Sequence, residues 1–192
     1  MQCVRCLTLM YNAGAARSLP KFERGNARAV AVNDSGLVVG FDMFNGIVWR
    51  NGQATKLPSN GVSLSEANCV NARGGIAGTA EFPKDGPGFR MCLWQAGKPR
   101  DIGTLTGFSY CSALAINDSC VVVGTAERNK AEPYAVLYRG SKMVDLNDLV
   151  PLPHGAILEE AIGIDNHGRI IGNGRLGGKS VGFVLTPVKH RR

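Results

Sequence analysis

Four copies of one short motif run along the chain, and they constrain its fold more than any other feature. Each copy has a small residue, an apolar run, an Asn or Asp turn, a β-branched run and a closing glycine. The closing glycines lie 38, 46 and 48 residues apart. Repeats of this length are typical of propellers and other tandem architectures. The copies occupy residues 29–40, 67–78, 113–124 and 161–172.

The motif predicts a β-hairpin, because an apolar run meets an Asn/Asp-x-x-Gly turn and then a second β-branched run. The side chain that opens the turn can bond its own downstream backbone, and the glycine can adopt positive φ. Cys120 stands where the third turn should have that glycine, so this turn is either shaped differently or strained. The turns open at Asn33, Asn71, Asn117 and Asp165, and three of them contain Gly36, Gly74 and Gly168.

A second apolar motif follows every hairpin. In the first three copies it continues through a Gly-containing turn into a short outer run, so each full unit has four strands. Residues 7–20 match this second half as well. The sequence therefore predicts one all-β repeat domain over residues 1–192. Its units span roughly residues 28–57, 67–103, 113–146 and 160–187, with N-terminal closing strands at 7–20.

The first strand of each unit has small residues at alternate positions, as in Ala113 and Ala115. Alternate side chains share one face of a strand, so that face must be crowded. Four inner strands that converge on an axis would crowd it. We therefore expect a propeller-like ring of about four units, closed by the two termini so that no long sheet edge is exposed. Strands should occupy over half of the chain, and no helix should exceed about two turns.

Composition and charge limit the function classes. The 192 residues suit one globular domain, and no apolar run reaches the roughly 18 residues of a membrane span. The net charge of +7 lies in the end segments: residues 1–28 hold five basic and one acidic residue, and residues 159–192 hold six and three. Charge pooled at the ends disfavours a nucleic-acid surface, because a basic stripe across the fold is the useful signal.

The units resemble the HAF-repeat family of bacterial proteins, whose repeats read Ala-x-x-Ile-Asn-Asp-x-Gly-x-Val-Val-Gly, then His-Ala-Phe-Leu-Trp and Asp-Leu-Gly. The first part is well kept, and residues 101–105 are similar to the last. The His-Ala-Phe tripeptide is missing, and its places hold residues 90–92, 134–136 and 181–183. The resemblance implies an often exported protein and supplies no catalytic residues. The N-terminus shows no recognisable export signal, so an exported and a cytoplasmic protein both stay open.

Residues 172–177 fit G-x-G-x-x-G and run into Gly178-Lys179-Ser180, one identity short of a P-loop. Both phosphate-binding motifs need a helix to begin there. The residues that follow Ser180 read as strand, and Gly172 is the fourth closing glycine. We therefore interpret this motif as part of the repeat.

The other candidate groups have structural interpretations. Cys3-x-x-Cys6 is a lone pair of possible thiolate ligands, and a structural zinc site needs two more. Cys69 and Cys92 occupy core positions of the repeat and should be inert buried thiols. The three histidines share no spacing that would bring them together. Four aromatic residues in register should be core, although they would suit sugar or base stacking if they faced outward; they are Tyr11, Trp49, Trp94 and Tyr138.

The sequence nominates no catalytic, cofactor-binding or metal-ligating residue and no cofactor. It favours a non-enzymatic binding or interaction module with an unknown protein or carbohydrate ligand and no membrane span. It does not determine the oligomeric state. Two alternatives stand beside it: an enzyme with a site at the central opening of the ring, and a nucleic-acid binder that uses the basic ends.

Overall fold

The computed structural model confirms the all-β prediction. It describes residues 9–12, 15–20, 22, 27–59, 61–83, 88–95, 97–128 and 132–188. Strands account for 57% of the structure and helix for 3%. Within the described ranges the longest helix is a single 3-10 turn at Leu146–Asp148. The strand majority and the absence of a helix longer than two turns are thus confirmed for this part of the chain.

Each repeat forms an antiparallel meander in which consecutive strands pair. Unit 1 contains β3 (Arg28–Val32), β4 (Val38–Phe41), β5 (Gly46–Arg50) and β6 (Gln53–Lys56). Unit 2 contains β7 (Ser65–Val70), β8 (Ile76–Glu81), β9 (Phe89–Gln95) and β10 (Lys98–Gly103). Unit 3 contains β11 (Tyr110–Ile116), β12 (Val122–Glu127), β13 (Tyr134–Arg139) and β14 (Lys142–Asp145). Unit 4 contains three strands, β15 (Ala156–Ile164), β16 (Ile170–Leu176) and β17 (Lys179–Leu185).

The closing glycine of each repeat is explained by a bulge in the first strand. In all four units the register shifts just after the small residue that opens the motif. The bulge pushes a main-chain carbonyl toward the glycine. A Cβ on Gly124 would lie 1.9 Å from the carbonyl oxygen of Ser112, and a Cβ on Gly172 would lie 2.0 Å from that of Glu160. No side chain fits at these distances, so only glycine is accommodated there.

The third turn keeps the shape of the others although it lacks glycine. Cys120 has φ 57°, close to the 75° of Gly36 and the 79° of Gly74 and Gly168. A residue with a Cβ is disfavoured in this left-handed region. The prediction of a strained residue at Cys120 is therefore confirmed, and the alternative of a differently shaped turn is wrong.

The hydrophobic core is divided into layers that lie between consecutive units. One cluster joins Val39 and Val48 of unit 1 to Ala67 and Trp94 of unit 2. A second cluster joins units 2 and 3, and a third joins Val123 of unit 3 to Ala161 of unit 4. We call the side of a unit that contacts the following unit its trailing face, and the opposite side its leading face. A single unit is too thin to bury both faces, so stacking supplies the core.

The N-terminal strands β1 (Leu9–Asn12) and β2 (Ala15–Ser18) form a separate two-stranded sheet, the N-terminal half-unit. The chain just after them packs on the leading face of unit 1, where Leu19 and Phe22 contact the cluster around Trp49. The indole of Trp49 donates to the carbonyl of Pro20 at 2.9 Å, as that of Trp94 donates to Pro58 at 3.2 Å. The segment after β2 therefore contacts unit 1 as the segment after β6 contacts unit 2.

The strand pairing expected for ring closure is not found in the described residues. We expected residues 7–20 to pair with the unit at 160–187, but β1 pairs with β2 and β17 pairs with β16. The described strands of the N-terminal segment therefore add no strand to the sheet of unit 4.

Candidate interaction surfaces

Asparagine side chains organise three of the turns, and Asp165 takes the same position in the fourth. The Oδ1 atom of Asn33 accepts from the backbone amides of Ser35 and Leu37 at 3.1 and 3.0 Å. Asn117 does the same for Ser119 and Val121, both at 3.0 Å. These bonds shape each turn, as the sequence predicted from residues that bond their own backbone.

The amide nitrogens of the same side chains link the units. Asn33 donates to the carbonyl of Asn71 at 2.9 Å, Asn71 to that of Asn117 at 2.9 Å, and Asn117 to that of Asp165 at 3.1 Å. We call this series the asparagine ladder. It runs in one direction, from each unit to the next. A primary amide suits the position because it accepts within its own turn and donates to its neighbour.

The ladder ends at Asp165, whose carboxylate has no hydrogen to donate. Its Oδ2 atom instead accepts from Nε of Arg169 at 2.6 Å. Desolvation opposes ionisation of Asp165, but the side-chain and backbone hydrogen bonds from Arg169 outweigh it and lower the pKa of this carboxyl. The side chain of Asp165 therefore supplies no donor for a fourth rung.

The four turns border one shallow groove of about 350 Å³. The enzyme alternative expected a site assembled from different units, and this groove is lined by residues of all four. The side-chain amides of Asn33, Asn71 and Asn117 line the groove and are hydrogen-bonded in the ladder. The carboxylate of Asp118 accepts a hydrogen bond from the side-chain amide of Asn166 at 2.8 Å. Three consecutive residues of every turn line the groove: 32–34, 70–72, 116–118 and 164–166.

The trailing face of unit 4 is exposed where the same positions of earlier units are buried. The residue before the closing glycine is fully buried in units 1 to 3, as Val39, Ala77 and Val123, but in unit 4 it is Ile171, which is 49% exposed. Its cross-strand partner on the third strand is Val48 in unit 1, which is 9% exposed, and Val184 in unit 4, which is 67% exposed. The following unit covers the earlier positions, and no fifth unit covers these two in the described chain.

The leading face of unit 1 is exposed in its inner half. Ala67, Ala113 and Ala161 are fully buried against the preceding unit, whereas the equivalent Ala29 is exposed. Val32 is 62% exposed, while its equivalent Ile116 is buried. The outer half of the same face is covered, because the segment after β2 packs on Trp49. The array thus presents one uncovered apolar face at each end.

Cysteine positions agree with the prediction of buried thiols. Cys69 and Cys92 are buried, and so is Cys111. Burial raises the pKa of Cys69 and of Cys111 to about 12, and it raises that of Cys92 as well. These thiols stay protonated and unreactive at neutral pH. Cys3 and Cys6 lie outside the described residues.

Three of the four aromatic residues in register are core, as predicted. Trp49, Trp94 and Tyr138 are all buried. The hydroxyl of Tyr138 accepts from Arg100 of the preceding unit at 2.8 Å. These side chains link units and offer no outward stacking platform. The side chain of Tyr11 lies outside the described residues.

The glycine-rich motif forms β structure. Residues 172–176 belong to β16, Gly177 and Gly178 turn with φ 56° and 78°, and β17 begins at Lys179. A strand therefore stands where both phosphate-binding motifs need a helix. Of the histidines, His154 and His167 are exposed, and His190 lies outside the described residues.

Part of the C-terminal basic segment is paired with carboxylates. Arg175 bonds Glu132 at 2.6 Å and Glu159 at 2.5 Å, and Arg169 bonds Asp165. Residues 1–8 and 189–192 hold further basic side chains and lie outside the described residues. This pairing reduces the positive charge available to nucleic acid at the C-terminal end.

Over the part of the chain that the structure describes, no three potential metal-ligating side chains lie together. In the same residues, no helix has the length and hydrophobicity needed to cross a membrane. Comparison with models of known protein families and with curated protein sequences finds no match.

Proposed function

We propose that this chain is a non-enzymatic interaction module that binds a protein partner through the apolar end faces of its repeat array. One observation carries the proposal: Ile171 and Val184 are exposed, whereas five of their six equivalents in the earlier units are buried and the sixth, Leu137, is partly buried. Exposed apolar patches of this kind mark interaction sites in soluble proteins. The groove between the turns is a weaker candidate, because its asparagine amides already serve the ladder.

The chemistry of the trailing face favours a protein over a carbohydrate. Near the turn its exposed side chains are aliphatic, Ile171 and Val184, and farther along the same two strands the face carries Asn173 and Ser180. Carbohydrate sites combine an aromatic platform with polar groups, and the aromatic residues in register are buried here. Aliphatic surface is instead what a protein interface buries at its core.

The finer architecture is also a proposal. We propose that the units follow a propeller-like arc, supported by the four turns that border a single groove. Membership of the HAF-repeat family is proposed on the motif resemblance alone. Closure of a ring of about four units by the two termini would cover both end faces within one chain, and it is the arrangement that competes with an intermolecular interface.

Site-specific photocrosslinking tests the proposed function. Val184 would be replaced by p-benzoylphenylalanine in cells that make this chain, with Lys142→p-benzoylphenylalanine as a control at an exposed site on β14. Light-dependent protein adducts at position 184, absent at position 142, are expected. They should disappear when Ile171→Lys is added, because the new charge disrupts the same face. No adduct at 184, or the same adducts at both positions, would overturn the proposal.

A further inference from the structure

We propose that the trailing face of unit 4 binds the leading face of unit 1 in a second copy of this chain, head to tail. This inference rests on the proposed function and specifies its partner. The surfaces are the cross-strand pair Ile171 and Val184 at one end and Ala29 and Val32 at the other.

The contacts inside the chain show that these two kinds of surface fit each other. Three times, a trailing face packs on the leading face of the next unit and buries both. In the first of these interfaces, Val39 and Val48 pack with Ala67. Ile171 and Val184 occupy the positions of Val39 and Val48, and Ala29 occupies that of Ala67. The contact between copies therefore continues an interface that the chain already forms.

The missing strands at the two ends are complementary. Unit 4 has its inner strands β15 and β16 but, among the described residues, no fourth strand after β17. The N-terminal half-unit has two strands, and the segment after it covers only the outer half of the leading face of unit 1. The inner strands of unit 4 therefore meet the part of unit 1 that the half-unit leaves open, around β3.

Because the asparagine ladder does not extend across it, the contact between copies should be weaker than an internal interface. At each internal interface an asparagine amide donates to the next turn, but Asp165 has no amide to offer the carbonyl of Asn33. The contact between copies buries apolar surface but lacks the asparagine hydrogen bond that links the internal units. It should be reversible, and because it is heterologous it should extend into open chains of increasing length.

Complementation between two blocked variants tests the proposal on the purified chain. The trailing-blocked variant carries Ile171→Lys and Val184→Lys, and the leading-blocked variant carries Ala29→Lys and Val32→Lys. A matched control, Met43→Lys, adds the same charge to another exposed apolar side chain. All three should keep the wild-type circular dichroism, since the replaced side chains are exposed.

Light scattering over about 1 μM to 1 mM should show that wild type and Met43→Lys grow in mass with concentration. Each blocked variant alone should stay at the mass of one chain, and an equimolar mixture should reach twice that mass and no more. A monomeric wild type would overturn the proposal. So would a leading-blocked variant that still dimerises, because that result indicates a symmetric contact between two trailing faces.

These outcomes are separable from failure of the proposed function. If the purified chain is monomeric while position 184 still crosslinks to another protein in cells, the self-association is wrong and the interaction module stands. If position 184 crosslinks to nothing and the chain is monomeric, both are wrong.

Discussion

Ile171 and Val184 are cross-strand partners on β16 and β17, and both are exposed although every equivalent pair in units 1 to 3 packs against a following unit. Directly opposed residues of an antiparallel pair point to the same face of the sheet. The pair therefore marks the trailing face of unit 4, which keeps the repeat pattern but has no following unit packed on it in the described part of the chain.

The closing glycine should tolerate no side chain. Gly124→Ala should lower the free energy of unfolding by about 3 kcal/mol or more, because the new methyl overlaps the carbonyl of Ser112. Gly182→Ala is the matched control on β17, where the nearest atom to a Cβ is 3.8 Å away. It should change stability by less than about 0.5 kcal/mol. Equal urea midpoints for the two variants would contradict the bulge as the reason for the glycine.

Cys120→Gly should stabilise the protein by about 0.5 to 1 kcal/mol, because glycine adopts φ 57° without a Cβ penalty. Cys120→Ala separates this effect from the loss of the sulfur, which accepts from the side chain of Gln95 at 3.2 Å. Alanine keeps the strain and loses that contact, so it should be the less stable variant. Urea unfolding compares them, and an alanine variant at least as stable as the glycine variant would rule out strain.

The ladder predicts that substitutions at the equivalent positions of two turns change the stability by different amounts. Asn117→Asp keeps the acceptor for its own turn but replaces the buried donor to Asp165, and it should cost about 1 to 3 kcal/mol at neutral pH. Asp165→Asn removes exposed ion pairs with Arg169 and His167 and should leave the urea midpoint nearly unchanged. Chemical denaturation measures both. A loss for Asp165→Asn as large as that for Asn117→Asp would show that the turns are not linked as described.

The buried thiols predict a loss of stability at alkaline pH. The folded-state pKa of Cys69 and Cys111 is about 12, against an ordinary value of 9.0, so the unfolded chain releases these protons first. Their contribution is complete below about pH 9 and is lost as the pH rises toward 12. Iodoacetamide labelling at pH 8, mapped by mass spectrometry, should modify both cysteines in urea and neither in the native protein. Native labelling at the unfolded rate would contradict their burial.

The sequence was sufficient to predict the four hairpins, because glycine spacing, turn residues and alternating small positions all act within one hairpin. The closing glycine Gly172 was correctly assigned to the repeat. Its physical cause, a bulge that directs the carbonyl of Glu160 at it, needed the pairing register. The half-unit was also recognised, but its place before unit 1 depends on the contact between Trp49 and Pro20, which is distant in sequence.

The candidate surfaces were not predictable from the same patterns. Ile171 and Val39 belong to the same residue class at the same repeat position, so no local signal separates the exposed residue from the buried one. The ladder had a visible signal, three asparagines followed by Asp165, but the pattern was interpreted only as turn chemistry. Donation from one turn to the next becomes evident when the units are stacked.

The most direct test of the open trailing face compares two valines at one repeat position by urea unfolding in dilute protein. Val48→Lys buries a charge between units 1 and 2, and it should cost about 3 kcal/mol or more or prevent folding. Val184→Lys places the same charge on the uncovered face of unit 4 and should stay within about 0.5 kcal/mol of wild type. A comparable loss in both variants would show that the trailing face of unit 4 is covered within the chain, as a closed ring requires.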